Sequence, residues 1–270
     1  MIRNPFMYAG FLPNIYRHRH MIAAMALQEI RARYAGTLAG LAWAVAMPLV
    51  TAFVFAFVFS VALKVPDQHN VPFVVMFFCS LIAWNLMSET LSQNSWVIVS
   101  HTYLVKKVVF PTEILPLVNL AANLIIHGTS IVILLGLMAF YGLKLSPYAI
   151  QFLYYAACLC VLTLALSWLV SSVNVFFRDV GQFVAVFLQI WFWVTPIVWS
   201  LDLLPEKYRM FLRLNPMTYV TEGYRGSFLL GRPFWEDYLY GAYFWASTLL
   251  ILLIGATVFR RLKPEFADML

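Results

Sequence analysis

The sequence predicts an all-α integral membrane protein, and three observations carry that expectation. Hydrophobic residues fill 63% of the 270 positions and charged residues only 11%, where a soluble domain carries roughly a quarter charged. The mean hydropathy is +0.81, and a water-soluble fold of this size leaves too much area exposed to hide so much apolar surface. The apolar residues also come in long unbroken runs, which select helices over the ten-residue alternation of a barrel. Inside a bilayer only those two architectures satisfy the backbone.

Taken in order, six runs are long enough to cross a membrane, at 41–63, 72–93, 114–142, 147–177, 180–200 and 238–259. A spanning helix needs about 20 apolar residues. Ahead of them, residues 14–34 place Ile15, Ile22, Met25, Ala26 and Ile30 near one helical face. Arg17, Arg19, Glu29 and Arg33 fall largely elsewhere, which predicts a helix lying on the membrane surface. Between the second and third runs, "WVIVSHTYLVKKVVF" (96–110) forms a short apolar-basic segment stopped by Pro111. In 201–237, residues 204–214 form one short helix. Asn215–Pro216 reads as the N-cap and first-turn proline of a second, and Gly231 as its C-terminal glycine. Met217, Val220, Tyr224 and Phe228 share a face of that second helix. These two half-length helices dip toward the membrane without crossing it. The whole chain, 1–270, is then one membrane domain: interface-helix region 1–40, five spans in 41–200, outer helices 201–237, a sixth span 238–259 and a tail 260–270.

Orientation follows from the cations. With the N-terminus inside, the inner segments hold Arg3, Arg17, Arg19, Arg31, Arg33, Lys106, Lys107, Arg178, Arg260, Arg261 and Lys263. The short outer loops hold only Lys64 and Lys144, which puts both termini in the cytoplasm. The net charge of +6 is therefore a topology signal rather than a sign of nucleic-acid binding. "RHRHMIAAMALQE" has the outline of a signal peptide, but its apolar core, 21–27, is at the short limit, and the segment is read as retained. Cys79, Cys158 and Cys160 lie inside apolar runs and read as buried free thiols.

Polar and aromatic residues recur at helical spacing. Asn119, Asn123 and His127 share one face, as do Asn85, Glu89 and Gln93. Interhelical hydrogen bonds, worth about 0.6 kcal/mol each, would explain them; so would the wall of a polar pathway. Phe183, Phe187 and Trp191 share a face leading to Thr195, where Pro196 is expected to kink the helix, and Phe55 and Phe59 lie above Thr51. Such stripes serve packing or interface belts. The one at 183–195 runs through the middle of its span, as the flat lining of a conduit for sugars would. "NVFFRDVGQF" (174–183) sets Arg178–Asp179 at the inner turn between spans four and five. No G-x-x-x-x-G-K-[ST], H-E-x-x-H or G-x-S-x-G motif occurs, and the five histidines are dispersed. The chain therefore has no P-loop, and an embedded enzyme is disfavoured.

Three blocks resemble the membrane subunits of ABC transporters that export lipid-linked polysaccharides. They are "EIRARYAGTLAGLAWAVAMPL" (29–49), "NVFFRDVGQFVAVFLQIWFWVTPIVWSLDLLP" (174–205), and "NPMTYVTEGYR" (215–225) with "FRRLKPEFADML" (259–270). Thr37–Leu38–Ala39–Gly40 departs slightly, standing where Ser-x-Leu-Gly is commoner. Within that family, which includes O-antigen, capsule and teichoic-acid export permeases, the central block looks most like the O-antigen exporters. The resemblance implies a homodimer of six-span subunits in the bacterial inner membrane, joined by two separate ATP-binding subunits. Those partners would hold ATP and Mg, leaving no cofactor and no catalysis in this chain. The cargo would be a polyprenyl-pyrophosphate-linked polysaccharide.

Site expectations follow. Phe55, Phe59, Phe183, Phe187, Trp191 and Thr195 would line the conduit. Arg178, Arg31 and Arg33 would meet the lipid pyrophosphate at the entrance, Arg178 having as its alternative a snorkelling role held by Asp179. His101, Tyr103, Lys106, Lys107 and Glu29 would couple to the ATPase. Pro205, Asn215, Pro216, Tyr219, Tyr224 and Arg225 would form the outer gate. An ABC exporter of another cargo (capsule, teichoic acid, glycolipid or drug), a membrane-embedded envelope-synthesis enzyme and a structural subunit are the alternatives.

Overall fold

The computed structural model describes residues 16–67, 69–107 and 110–270. Arg3, Ile15 and positions 108–109 lie outside the described residues. Five helical stretches are long and apolar enough to cross a membrane: Trp43–Ala62, Phe73–Ser100, Thr112–Phe140, Pro147–Asn174 and Tyr238–Met269. A sixth apolar helix, Asp179–Val194, is shorter at 16 residues.

In chain order the α-helices are α1 (Arg19–Arg33), α2 (Trp43–Ala56), α3 (Phe73–Ser100), α4 (Thr102–Lys107), α5 (Leu115–Phe140) and α6 (Phe152–Asn174). They continue with α7 (Asp179–Val194), α8 (Glu206–Arg213), α9 (Pro216–Arg225), α10 (Tyr238–Leu262) and α11 (Phe266–Met269). Wider π-type turns extend α2 over Phe57–Ala62 and α9 over Gly226–Leu230.

α3 is the axis of the subunit. Over 73–84 it is apolar nearly all round and every residue is buried, as such a helix is. Helices α5, α6, α7 and α9 pack against it, and α10 lies against α6. α2 behaves oppositely: Ala52 is its one buried residue, and Met47, Phe53 and Phe57 among others are exposed. An apolar helix left outside a core faces lipid or another subunit.

α1 buries Ile22, Ala26 and Ile30 against Ile114, Val118 and Ala122 at the start of α5. Its apolar stripe thus rests on protein, and each buried isoleucine contributes about 1.5–3 kcal/mol. The C-terminal α11 gathers at this same end. Phe266 packs with Val97, Ile98, Leu115, Trp168, Val175 and Phe259, and α11 also touches α4.

Two boundaries differ from expectation. α3 continues to Ser100 because 96–99 extend its apolar surface, while Ser95 and Ser100 donate back to the carbonyls of Ser92 and Val97 and leave the helix intact. The break comes at His101. α7 stops at Val194 instead of kinking at Pro196. A proline disfavours helical backbone in the residue before it and offers no N–H, and Thr195 is extended at φ −86°, ψ 136°. The short helices fall where the sequence places them. Asn215 Oδ1 accepts from the Met217 N–H at 3.0 Å, capping α9. Gly231 ends that segment in the left-handed region, at φ +60°. Met217, Val220, Tyr224 and Phe228 all turn into the core.

Candidate functional site

α7 carries a bare aromatic face. The rings of Phe183 and Phe187 stack at 6.0 Å and 16°, and both side chains are exposed, at 67% and 42%. Spacing of four puts them on one side of the helix. The stripe ends at Trp191, 5.2 Å from Phe187 and edge-on to Trp84 of α3 at 5.9 Å. Phe55 and Phe59 also stack, at 5.8 Å, but half-buried and packed on Phe73 and Phe77 of α3. No ring contact joins the two stripes among the described residues.

Behind Trp191 a polar frame holds the end of α7. Trp191 Nε1 donates to Asn215 Oδ1 at 2.9 Å, and Asn215 Nδ2 donates to Thr195 Oγ1 at 2.9 Å. Thr195 is fully buried and donates to the Trp191 carbonyl. The extended backbone after it would leave carbonyls unpaired inside an apolar shell, which is costly. Arg225 answers that need. Only 3% exposed, it donates to the Ile197 carbonyl at 2.8 Å, the Trp199 carbonyl at 3.4 Å and the Glu222 carboxylate at 3.0 Å. Tyr224 lies 3.0 Å from His127 Nε2, whose Nδ1 is 3.3 Å from the Ile82 carbonyl. Since a carbonyl only accepts, Nδ1 carries the proton and the Tyr224 hydroxyl donates to Nε2. Burial pushes the Tyr224 phenol well above its usual range, so it remains a neutral donor. The Tyr219 and Tyr154 hydroxyls are 3.2 Å apart. Pro205 sits at the start of α8 and Pro216 in the first turn of α9.

At the opposite end Arg33 reaches from α1 into the bundle. Its guanidinium donates to Asn123 Oδ1 at 2.9 Å and Gln93 Oε1 at 3.0 Å. Asn123 in turn donates to Thr90 and Gln93, and Asn119 to Asn94. Asn94, which the sequence reading passed over, donates to Ser167 and the Pro116 carbonyl. Both polar stripes therefore contribute to hydrogen bonds between helices. Glu89, one turn from Gln93, is exposed on the subunit.

Arg178 and Asp179 are both exposed, and neither side chain has an ion pair or hydrogen bond among the described residues. The turn that presents them is closed by its neighbours: Asn174 Oδ1 accepts from the Gly181 N–H at 2.7 Å. Arg31 is exposed and Glu29 half-buried on α1. In α4, Tyr103 and Lys106 are exposed and Lys107 closes the helix, while His101 Nδ1 donates to the Val97 carbonyl at 2.9 Å. No ion pair links Glu29 to α4 among the described residues.

The sequence profile described as ABC-2 type transporter matches residues 20–229. The chain belongs to the ABC-2 type transporter family. Similar proteins named O-antigen export system permease protein RfbA occur in Klebsiella pneumoniae and Myxococcus xanthus. One from K. pneumoniae is 25% identical over 253 residues, covering 93% of this chain and 95% of the relative. The M. xanthus protein is 27% identical over 258 residues, covering 94% and 96%. As an ABC-2 family member the chain is a multi-pass membrane protein that serves as a transport subunit rather than a catalyst.

Proposed function

We propose that this ABC-2 family chain is the transmembrane subunit of an exporter of lipid-linked polysaccharide, O-antigen in particular, across the bacterial inner membrane. The observation that carries the reading is the similarity, over more than nine-tenths of both chains, to permeases named for O-antigen export. Physical chemistry supports it. A sugar chain cannot cross hydrocarbon, because each unpaired hydroxyl costs several kcal/mol. It needs a continuous lining, and one subunit with an exposed aromatic face supplies half of one.

In this reading α7 with the extended turn at 195–200 makes a sixth crossing, and α8 and α9 form a gate at the outer mouth. Two copies meet through the exposed faces of α2 and α7 around a shared passage. Phe183 and Phe187 then face the sliding glycan, with Phe55, Phe59, Trp191 and Thr195 framing it. Arg178 and Arg31, exposed at the inner end, meet the pyrophosphate of the lipid anchor. Arg33 ties α1 to the bundle beside them.

Two separate ATP-binding subunits, holding ATP and Mg, push on α4 and α1 from the cytoplasm, where both termini lie. The exposed Tyr103 and Lys106, with His101, Lys107 and Glu29, form that contact. Deleting the gene tests the proposal. The expected result is polyprenyl-linked glycan accumulating on the cytosolic side of the inner membrane; normal surface polysaccharide in the deletion strain overturns it.

A further inference from the structure

A cavity of about 340 Å³ opens beside α8 and α9, at the end opposite α1, α4 and α11. Its floor is aromatic. Tyr155, Tyr219 and Tyr240 line it, with the Tyr219 ring 5.3 Å from Tyr155 and 5.0 Å from Tyr240. Its rim is charged, three arginines facing four carboxylates. Most of these are already answered. Arg213 pairs with Asp237 at 3.4 Å, Arg209 with Asp202 at 3.9 Å, and Glu222 with Arg225 at 3.0 Å. Three groups are left over. The Tyr240 hydroxyl is buried without a hydrogen-bond partner, and the side chains of Arg232 and Glu236 have no ion pair or hydrogen bond among the described residues.

The lining selects its ligand. A lone ion would meet one unpaired arginine beside one unpaired carboxylate, and neither sign is in large excess. An uncharged polyhydroxyl ligand answers both: its hydroxyls donate to the spare lone pairs of the carboxylates and accept from unused guanidinium N–H groups. Its C–H groups meet the apolar part of the floor beside the half-buried Tyr240. The volume lies at the low end of the roughly 300–1,000 Å³ typical of small-molecule sites, room for one or two sugar rings. We infer that this cavity is a carbohydrate subsite at the mouth of the gate. Tyr240, Arg232 and Glu236 bind one or two units of the emerging glycan. It is separate from the aromatic face of α7, which contributes no residue to it. A sugar held there opposes backsliding of the polymer. The inference rests on the exporter reading for its supply of glycan.

The test uses the full chain purified in a detergent without a sugar headgroup. The probe is the oligosaccharide released by mild acid from the surface polysaccharide of the source bacterium, titrated by saturation-transfer NMR. Saturable binding is expected for the native chain. Tyr240→Phe and Glu236→Gln should each weaken it about fivefold, equivalent to about 1 kcal/mol. Leu250→Ala, on the exposed face of α10, should leave it unchanged. Glu236 is exposed, so its substitution spares the fold. No binding, equal binding by every variant, or displacement of the probe by glycerophosphoethanolamine overturns the inference. Surface polysaccharide in a deletion strain separates the two readings. Export lost on deletion, with no oligosaccharide bound, removes the subsite alone; export retained removes the exporter reading and the subsite with it.

Discussion

Lys263, in the C-terminal tail, forms an ion pair with Glu113, just ahead of α5, across 150 positions of sequence. The Glu113 side chain is 7% exposed and that of Lys263 38%. The Glu113 carbonyl also accepts from Trp168 Nε1 at 3.1 Å, so one residue joins the tail, α5 and α6. Beside it Phe266 meets Phe259 and Phe176. The tail is thereby fixed against α4, the segment proposed to receive force from the ATPase.

Lys263→Met should take an ammonium partner away from a carboxylate that is only 7% exposed. The expected loss is about 1.5–3 kcal/mol, the worth of a hydrogen bond to a charged group, tempered because the ammonium is partly in solvent. Adding Glu113→Gln in the same chain should recover part of it, since the buried charge is then gone. Thermal unfolding in detergent, followed by fluorescence-detected gel filtration, reads both. Equal melting of Lys263→Met and the native chain would count against a structural role for the pair.

That ion pair was invisible in the sequence. Glu113 sits between Pro111 and an apolar run, and nothing local points to a lysine so far along the chain. What could be read was periodic or local. The runs that became α2, α3, α5, α6 and α10 follow from apolar length, and the cap at Asn215–Pro216 from two adjacent residues. The end of α7 was half legible: Pro196 announces a break, but whether the helix bends or stops depends on partners for the freed carbonyls. Those come from Arg225, 28 positions beyond Ile197. The stripe Asn119, Asn123, His127 was visible as a face, yet its partners on α3, α1 and α9 are settled only by tertiary packing. Phe55 and Phe183 look alike as sequence, and only the burial of α3 beside one of them separates packed from bare.

Arg225 should prove irreplaceable. Its planar fork serves two carbonyls and a carboxylate at once, and a lysine offers a point charge that cannot span them. Arg225→Lys should therefore destabilise nearly as much as Arg225→Ala, both by about 3–5 kcal/mol, the cost of breaking a buried charged pair. Yield of folded protein after detergent extraction and its melting temperature are the measurements. A lysine variant that melts like the native chain would remove this account of the break after α7.

Gly181 should reject a methyl group. A Cβ built there meets the indole of Trp96 on α3, and a ring filling packed space yields only by strain, typically about 1–3 kcal/mol. Gly181→Ala should lower the melting temperature, and Trp96→Phe in the same chain should restore part of it by opening the contact. Because Gly181 also donates its N–H to Asn174, the strained variant should lose export as the 174–181 turn shifts Arg178. If Trp96→Phe lowers stability by the same amount with and without the alanine, the two sites are not coupled.

The two aromatic stripes should respond oppositely to truncation. Phe183 and Phe187 are exposed, so Phe183→Ala with Phe187→Ala leaves no cavity and should barely change melting. Phe77, under Phe55 and Phe59, is buried at 1% exposure, and Phe77→Ala should cost about 3–5 kcal/mol. If the α7 face lines the passage, the exposed pair should cut polysaccharide export at native protein levels, and tyrosine at both positions should restore it by returning flat rings. Charged replacements there should do worse than alanine, because a fixed charge holds a passing hydroxyl that a ring face lets slide. Surface polysaccharide per folded transporter is the readout. Normal export from the double alanine variant would move the glycan path away from this face of α7.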